Sequence, residues 1–230
     1  MLKTDPPLRL VIFDVDGTLI DSQDFILAAM RRAFAEAARP APTDAATLGI
    51  VGLSLPQAMD VLVPGLSGPE RDRLVQLYKD SFRFLREESG GEARAPFYPG
   101  ARAALERLDG DGYLLSIATG KARRGLDHML DSHGLRHLFT GTQTADDAPS
   151  KPHPGMVLNC LAATGVAAHH AVVVGDTEYD MTMARAAGAR AVGVDWGYHS
   201  SARMRRGGAE HIVGDFTALD AVLDRIWGQA

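Results

Sequence analysis

The chain has 230 residues, 46% hydrophobic and 23% charged, with 24 glycines and 12 prolines; this is an ordinary globular balance, sufficient to bury roughly two-thirds or more of the unfolded surface, and it excludes disordered, collagen-like and low-complexity sequence. Twenty-four Lys and Arg against 29 Asp and Glu leave a formal net charge of −5, so no overall positive field exists to hold a nucleic-acid backbone and nucleic acid is not an expected partner. The single cysteine, Cys160, can form neither an internal disulfide nor a thiolate zinc cluster, and no run approaches the ~20 apolar residues of a membrane span, so a reducing, cytoplasmic setting without a membrane partner is expected.

In chain order, the apolar run Leu8 to Phe13 predicts a buried strand that ends in the turn sequence Asp14-Val15-Asp16-Gly17-Thr18. It is too short for the core of a secretion signal. From about Asp24 to Arg39, Ile26, Met30 and Phe34 fall on one line at helical spacing beside Ala29, Ala33 and Ala37. Leu74, Leu77, Tyr78, Phe82 and Leu85 repeat that spacing, and no strand pattern separates Asp21 from Phe97. Residues 21–96 therefore read as an all-helical insert.

After Tyr98-Pro99-Gly100 the rhythm alternates. A helix over Ala101 to Leu108 precedes a strand over Tyr113 to Ala118, and a helix over about Arg123 to Ser132 follows. Strands are then expected at Ala171 to Val174 and Ala191 to Val194, with a closing helix over Leu219 to Trp227. Strand and helix in alternation require crossover connections and hence a parallel sheet covered on both faces. The expected fold is α/β: a doubly wound, Rossmann-like core of residues 1–20 and 97–230, with a smaller helical cap domain, 21–96, inserted after the first strand.

Such sheets carry their ligand sites at the carboxyl ends of the strands. Here those ends hold Asp14 and Asp16, then Thr119-Gly120, then Gly175-Asp176, and Lys151 lies in an intervening loop. Carboxylates packed together repel unless a cation holds them ionised, and Mg²⁺ with its preference for oxygen ligands fits this set. An ionised Asp is a competent nucleophile towards phosphorus. A metal, the Lys151 ammonium, the Thr119 hydroxyl and loop N–H groups would neutralise the phosphoryl oxygens, and a second carboxylate two residues on can move the proton.

Phe13-Asp14-Val15-Asp16-Gly17-Thr18-Leu19 resembles the first motif of the haloacid dehalogenase-like hydrolase superfamily. Thr119-Gly120, Lys151-Pro152 and Gly175-Asp176-Thr177-Glu178-Tyr179-Asp180 follow in that family's order. The resemblance spans the whole chain and points to the phosphoglycolate-phosphatase-like branch with a helical cap. It implies Asp14 as nucleophile, Asp16 as general acid/base, Thr119, Gly120 and Lys151 as the phosphoryl-binding set, and Mg²⁺ held by Asp14, Asp176 and the backbone carbonyl of Asp16. Gly17 and Asp180 would support the site. Thr177-x-x-Asp180 is equally a capping-box pattern, so Asp180 is assigned to a helix cap or to metal support.

The reaction so implied is Mg²⁺-dependent hydrolysis of a small phosphorylated metabolite, phosphoglycolate first among two- to six-carbon phosphoesters, through an aspartyl-phosphate. Asp16 speaks against a dehalogenase, which needs no such acid/base. A phosphosugar mutase ranks second because the cap loop Val51-Gly52-Leu53-Ser54-Leu55 lacks the arginine typical of mutases. A non-catalytic phosphate-ligand binding protein ranks below both, since binding needs no acid/base. Gly49 to Ser54 and the helix face carrying Lys79 and Arg83 are candidate substrate contacts. Trp196-Gly197-Tyr198 resembles a loop of phosphoglycolate-phosphatase-like relatives and serves equally as a packing anchor. His153 reads as a solvated loop residue and Cys160 as buried and inert, and no feature of the sequence fixes an oligomeric state.

Overall fold

Leu10–Phe13 forms strand β1, and all four side chains are fully buried, as expected of a parallel strand covered on both faces. The structure, a computed structural model, describes residues 7–88 and 95–228. Helices α1 (Gln23–Glu36), α2 (Asp44–Leu48), α3 (Leu55–Leu62) and α4 (Gly68–Glu88) follow β1. Residues 89–94, the last part of the helical insert expected at 21–96, lie outside the described residues.

The chain then alternates through α5 (Ala101–Gly110), β2 (Leu114–Ala118), α6 (Arg123–Ser132), β3 (Gly141–Gln143), α7 (Gly155–Thr164), β4 (Ala171–Gly175) and α8 (Glu178–Ala186). It closes with β5 (Arg190–Val194), α9 (Ser201–Gly207), β6 (His211–Val213) and α10 (Thr217–Trp227). The six strands form one parallel sheet in the order β3-β2-β1-β4-β5-β6. This is the expected doubly wound α/β fold.

Side chains along the strands alternate between the two faces. Val11, Phe13, Leu115, Ile117, Val172, Val174 and Val192 meet α5, α6 and α10 on one side. Leu10, Ile12, Val173 and Ala191 meet α7, α8 and α9 on the other. A third cluster, built on Met30, Phe34, Leu53, Met59 and Leu74, lies within the helices of the insert. There α1 packs along α4. Among the described residues no helix is long and apolar enough to cross a membrane.

Two boundaries and the number of strands differ from expectation. Leu8 is 58% exposed, and the strand begins at Leu10. Helix α1 stops at Glu36 because Ala38 takes a left-handed φ of 53° and Pro40 follows, so the chain cannot stay helical to Arg39. The sheet also has two strands more than the pattern reveals, the three-residue edges β3 and β6.

The topology positions the site. Strand β1 is flanked by β2 and β4, so the chain winds outward in one direction through β2 and β3 and in the other through β4, β5 and β6. The crevice at the carboxyl ends of β1 and β4 is the switch point where open α/β sheets bind ligands.

Candidate active site

Because Phe13 pairs with Val174 across β1 and β4, the residues that leave these strands emerge side by side. The Asp14 N–H donates to the Val174 carbonyl at 3.0 Å. Asp14, Asp176 and Asp180 each offer a carboxylate oxygen within 4.8 Å of the others, and all three are buried. The Lys151 ammonium, with no exposed surface, bridges two of them at 2.9 Å from Asp14 Oδ1 and 2.6 Å from Asp180 Oδ1.

Each carboxylate is held by a different device. Asp176 accepts at Oδ1 from the Thr18 hydroxyl (2.9 Å) and at Oδ2 from the Tyr198 N–H (2.9 Å). Asp180 Oδ2 accepts from the Thr177 hydroxyl (2.6 Å) and N–H (3.1 Å), while the Asp180 N–H donates back to Thr177 Oγ1. The capping box legible in the sequence is therefore present, and the same Asp180 also pairs with Lys151. Asp16 turns away from this cluster: its Oδ1 accepts from Ser22 Oγ at 2.6 Å and pairs with Lys121 Nζ at 2.9 Å.

Two glycines let the backbone close over Asp176. Gly17 has a φ of +86°, in a turn where the Val15 carbonyl accepts the N–H groups of Thr18, Leu19 and Ile20. A Cβ at Gly17 or at Gly197 would overlap the Asp176 carboxylate. Gly197→Ala is accordingly expected to displace that carboxylate, and a divalent cation held by the cluster would be bound about 10–100-fold more weakly, the usual scale for losing a supporting contact around a metal ligand. Calorimetric titration with Mg²⁺ measures this directly.

The electrostatics ask for a cation. Burial raises the Asp14 carboxyl most, Lys151 opposes that rise, and the Asp180 charge raises it again, to a value of about 6. Burial, then the charges of Asp180 and Asp14, pushes Asp176 well above the usual carboxylate range. Lys151 is held above its ordinary range because Asp14 and Asp180 outweigh the cost of its own burial. Three buried carboxylates around one ammonium leave the cluster short of positive charge, and a hard divalent cation fits an all-oxygen donor set of this kind.

Thr119, at the end of β2, is buried and lines the same crevice. Gly120 lies against the helical insert: a Cβ there would stand 2.6 Å from the Gly52 carbonyl oxygen and 2.8 Å from that of Leu53. Further ties hold this loop to the core. Ser54 N–H donates to Ser150 Oγ at 2.7 Å and Tyr179 Oη donates to the Gly49 carbonyl at 3.0 Å. Between insert and core lies a cavity of about 440 Å³, lined by Asp14, Asp16, Thr119 and Gly120 and by Gly52, Lys79 and Arg83 of the insert.

The structure thus gathers Asp14, Lys151, Asp176 and Asp180 at one point, with Gly17 packed on Asp176 and with Asp16, Thr119 and Gly120 along the adjoining wall. Reading by motif misses Lys121, Ser22, Thr18 and the Tyr198 N–H. Lys121 directly follows the Thr119-Gly120 pair, but only the fold brings Asp16 to it. Trp196-Gly197-Tyr198 anchors the site: Trp196 Nε1–H donates to the Thr18 carbonyl at 3.1 Å, and Gly197 and Tyr198 enclose Asp176. His153 is exposed. Burial pushes the Cys160 thiol up to about 12, which leaves it without useful thiolate.

Known proteins resemble this chain along nearly its whole length. A "Probable phosphatase IndB" of Dickeya dadantii is 33% identical over 212 residues, covering 91% of either chain. A phosphoglycolate phosphatase of Mesorhizobium japonicum is 30% identical over 219 residues, covering 93% of this chain and 94% of its own. The crystal structure of a hydrolase from Pseudomonas syringae superposes with a TM-score of 0.83 at 26% identity over 95% of this chain and 99% of its own. The sequence model of the haloacid dehalogenase-like hydrolases matches residues 11–194, a span from the second residue of β1 to the last of β5 that takes in every residue of the carboxylate cluster, and the chain belongs to that family.

Proposed function

We propose that the protein is a Mg²⁺-dependent phosphatase that hydrolyses a small phosphate monoester through an aspartyl-phosphate on Asp14. The observation that carries this reading is the buried group of Asp14, Asp176 and Asp180 around Lys151 at the switch point of the sheet. The phosphatase names of the Dickeya and Mesorhizobium relatives support the choice of reaction. Phosphoglycolate is the first ester to test.

Mg²⁺ would be held by Asp14, Asp176 and the backbone carbonyl of Asp16, and when bound it supplies positive charge to the phosphoryl oxygens. Asp14 attacks phosphorus, and the bond to the departing alcohol breaks. Asp16 gives its proton to the leaving oxygen, then takes one from the water that cleaves the acyl-phosphate. Lys151 keeps Asp14 aimed and ionised and adds its charge to the phosphoryl site, with the Thr119 hydroxyl and the N–H of Gly120 beside it. Ser22 and Lys121 fix Asp16 through one oxygen. The helical insert, 21–96, acts as a cap whose 49–54 loop closes on Gly120 and excludes bulk water.

Phosphate release from phosphoglycolate, measured with Mg²⁺ and then with chelator, tests the reading: turnover with the metal and none without it is expected, and equal rates would overturn it. Asp16→Asn sharpens the test. It is expected to cut kcat on alkyl phosphates by about 10²–10⁴-fold, the usual contribution of a general acid/base, while phosphate still binds. Unchanged turnover would remove Asp16 from the proton transfer.

A further inference from the structure

One part of the cavity wall is apolar, made by Ile26 and Met30 of α1, Leu53 of the loop before α3, and Tyr78 and Phe82 of α4, while Lys79, Arg83 and Arg86 of α4 and Arg124 of α6 line the same cavity. At about 440 Å³ the space falls within the roughly 300–1,000 Å³ of pockets that enclose a drug-sized ligand. A two-carbon acid would fill a small part of it.

The apolar wall borders the acid/base, where the alcohol departs. Lys121 Nζ, which pairs with Asp16 at 2.9 Å, also stands 5.5 Å from the centre of the Phe82 ring. Phe82 is backed by Phe25 at 6.0 Å and neighboured by Tyr78 at 6.1 Å between ring centres. The negative charge of Asp16 reaches the Tyr78 hydroxyl, which burial already holds above its ordinary range. An alcohol leaving past Asp16 therefore meets a cluster of rings.

We propose that the preferred substrate is a phosphate monoester of an alcohol bearing an aromatic or heteroaromatic ring, with the ring lying against Tyr78 and Phe82. This rests on the phosphatase reading and selects the alcohol within it. Ring contacts of this kind are offset or tilted and add attraction beyond the area they bury. The alkyl chain between ring and phosphate would run along Leu53 and Met30, and phosphoglycolate, which has no ring, would forgo this contact.

Benzyl phosphate and phosphoglycolate make a fair pair because both release alkyl alcohols, so intrinsic reactivity does not favour the ring. The wild-type enzyme is expected to show a kcat/KM at least about tenfold higher for benzyl phosphate, within the range a hydrophobic pocket can supply. Phe82→Ala, and Phe82→Leu as the variant that keeps an apolar side chain in the α1–α4 packing, are expected to lower the benzyl-to-glycolate ratio of kcat/KM, mainly through KM on the benzyl ester. A wild-type ratio at or below one, or a parallel fall for both esters in both variants, would overturn the proposal while leaving the phosphatase reading intact. Turnover of neither ester would overturn the phosphatase reading and the proposal with it.

Discussion

Asp14→Asn is expected to lower kcat on any phosphate monoester by at least ~10⁴-fold, the scale on which an enzyme loses its nucleophile. The amide keeps the shape of the side chain but lacks the anion that must attack phosphorus. The fold should survive and become firmer in the absence of metal. Asp14 is one of three buried carboxylates; burial first, and the charges of its neighbours after it, raise the carboxyls of Asp14 and Asp176, and the substitution removes one of those charges at the cost of its pair with Lys151 at 2.9 Å. The melting temperature in chelator is therefore expected at or above that of the wild type, while the stabilisation by added Mg²⁺ shrinks. Phosphate-release kinetics and thermal denaturation with and without Mg²⁺ check both halves. An inactive variant that melts well below the wild type would reduce the loss of activity to a folding defect.

Lys151→Met should damage stability and activity together. Lys151 has no exposed surface and is the ammonium between Asp14 and Asp180. Removing one partner from a buried ionic group leaves uncompensated charge and costs about 3–5 kcal/mol, which in a chain of this length lowers the melting temperature by on the order of 10 °C. Activity should fall by about 10²–10³-fold as well, because a cation aimed at the phosphoryl site is lost. Mg²⁺ should restore part of the melting temperature by replacing the missing charge, and little of the activity. Lys151→Arg is not a conservative rescue, since the planar guanidinium is larger than the ammonium of a side chain already fully enclosed. A Lys151→Met protein as stable and active as the wild type would mean that the buried bridge carries neither role.

Much of this site is readable from the residues because parallel strands are buried on both faces. Leu10–Phe13 and Ala171–Gly175 are continuous apolar runs, and the polar residues that end them, Asp14 and Asp176, fall at the carboxyl ends. The edge strands Gly141–Gln143 and His211–Val213 lack that signal, because a three-residue edge has neither a continuous apolar run nor a clear alternation. Helix α2 is similarly hidden by its five residues. Asp180 shows where local pattern ends: the capping box with Thr177 is written in a four-residue spacing, but its pairing with Lys151 depends on the fold bringing the loop between β3 and α7 to the start of α8. Lys121 and Ser22 carry no motif, and their meaning comes only from converging on one oxygen of Asp16. The apolar pocket is hidden for the same reason. Met30, Tyr78 and Phe82 read as ordinary helix-packing residues until α1 and α4 close over the strand ends.

Chemical trapping of the phosphoryl-enzyme bears most directly on the central assignment. In Asp16→Asn, 4-nitrophenyl phosphate supplies a leaving group that departs without a proton, so Asp14 can still be phosphorylated while its hydrolysis is slowed. Acid quenching, borohydride reduction and peptide mass spectrometry should then find homoserine at position 14 in the presence of Mg²⁺ and none with chelator. Reduction at Asp176 or Asp180 instead, or release of phosphate by this variant at the wild-type rate with position 14 unmodified, would contradict the assignment of Asp14 as the nucleophile.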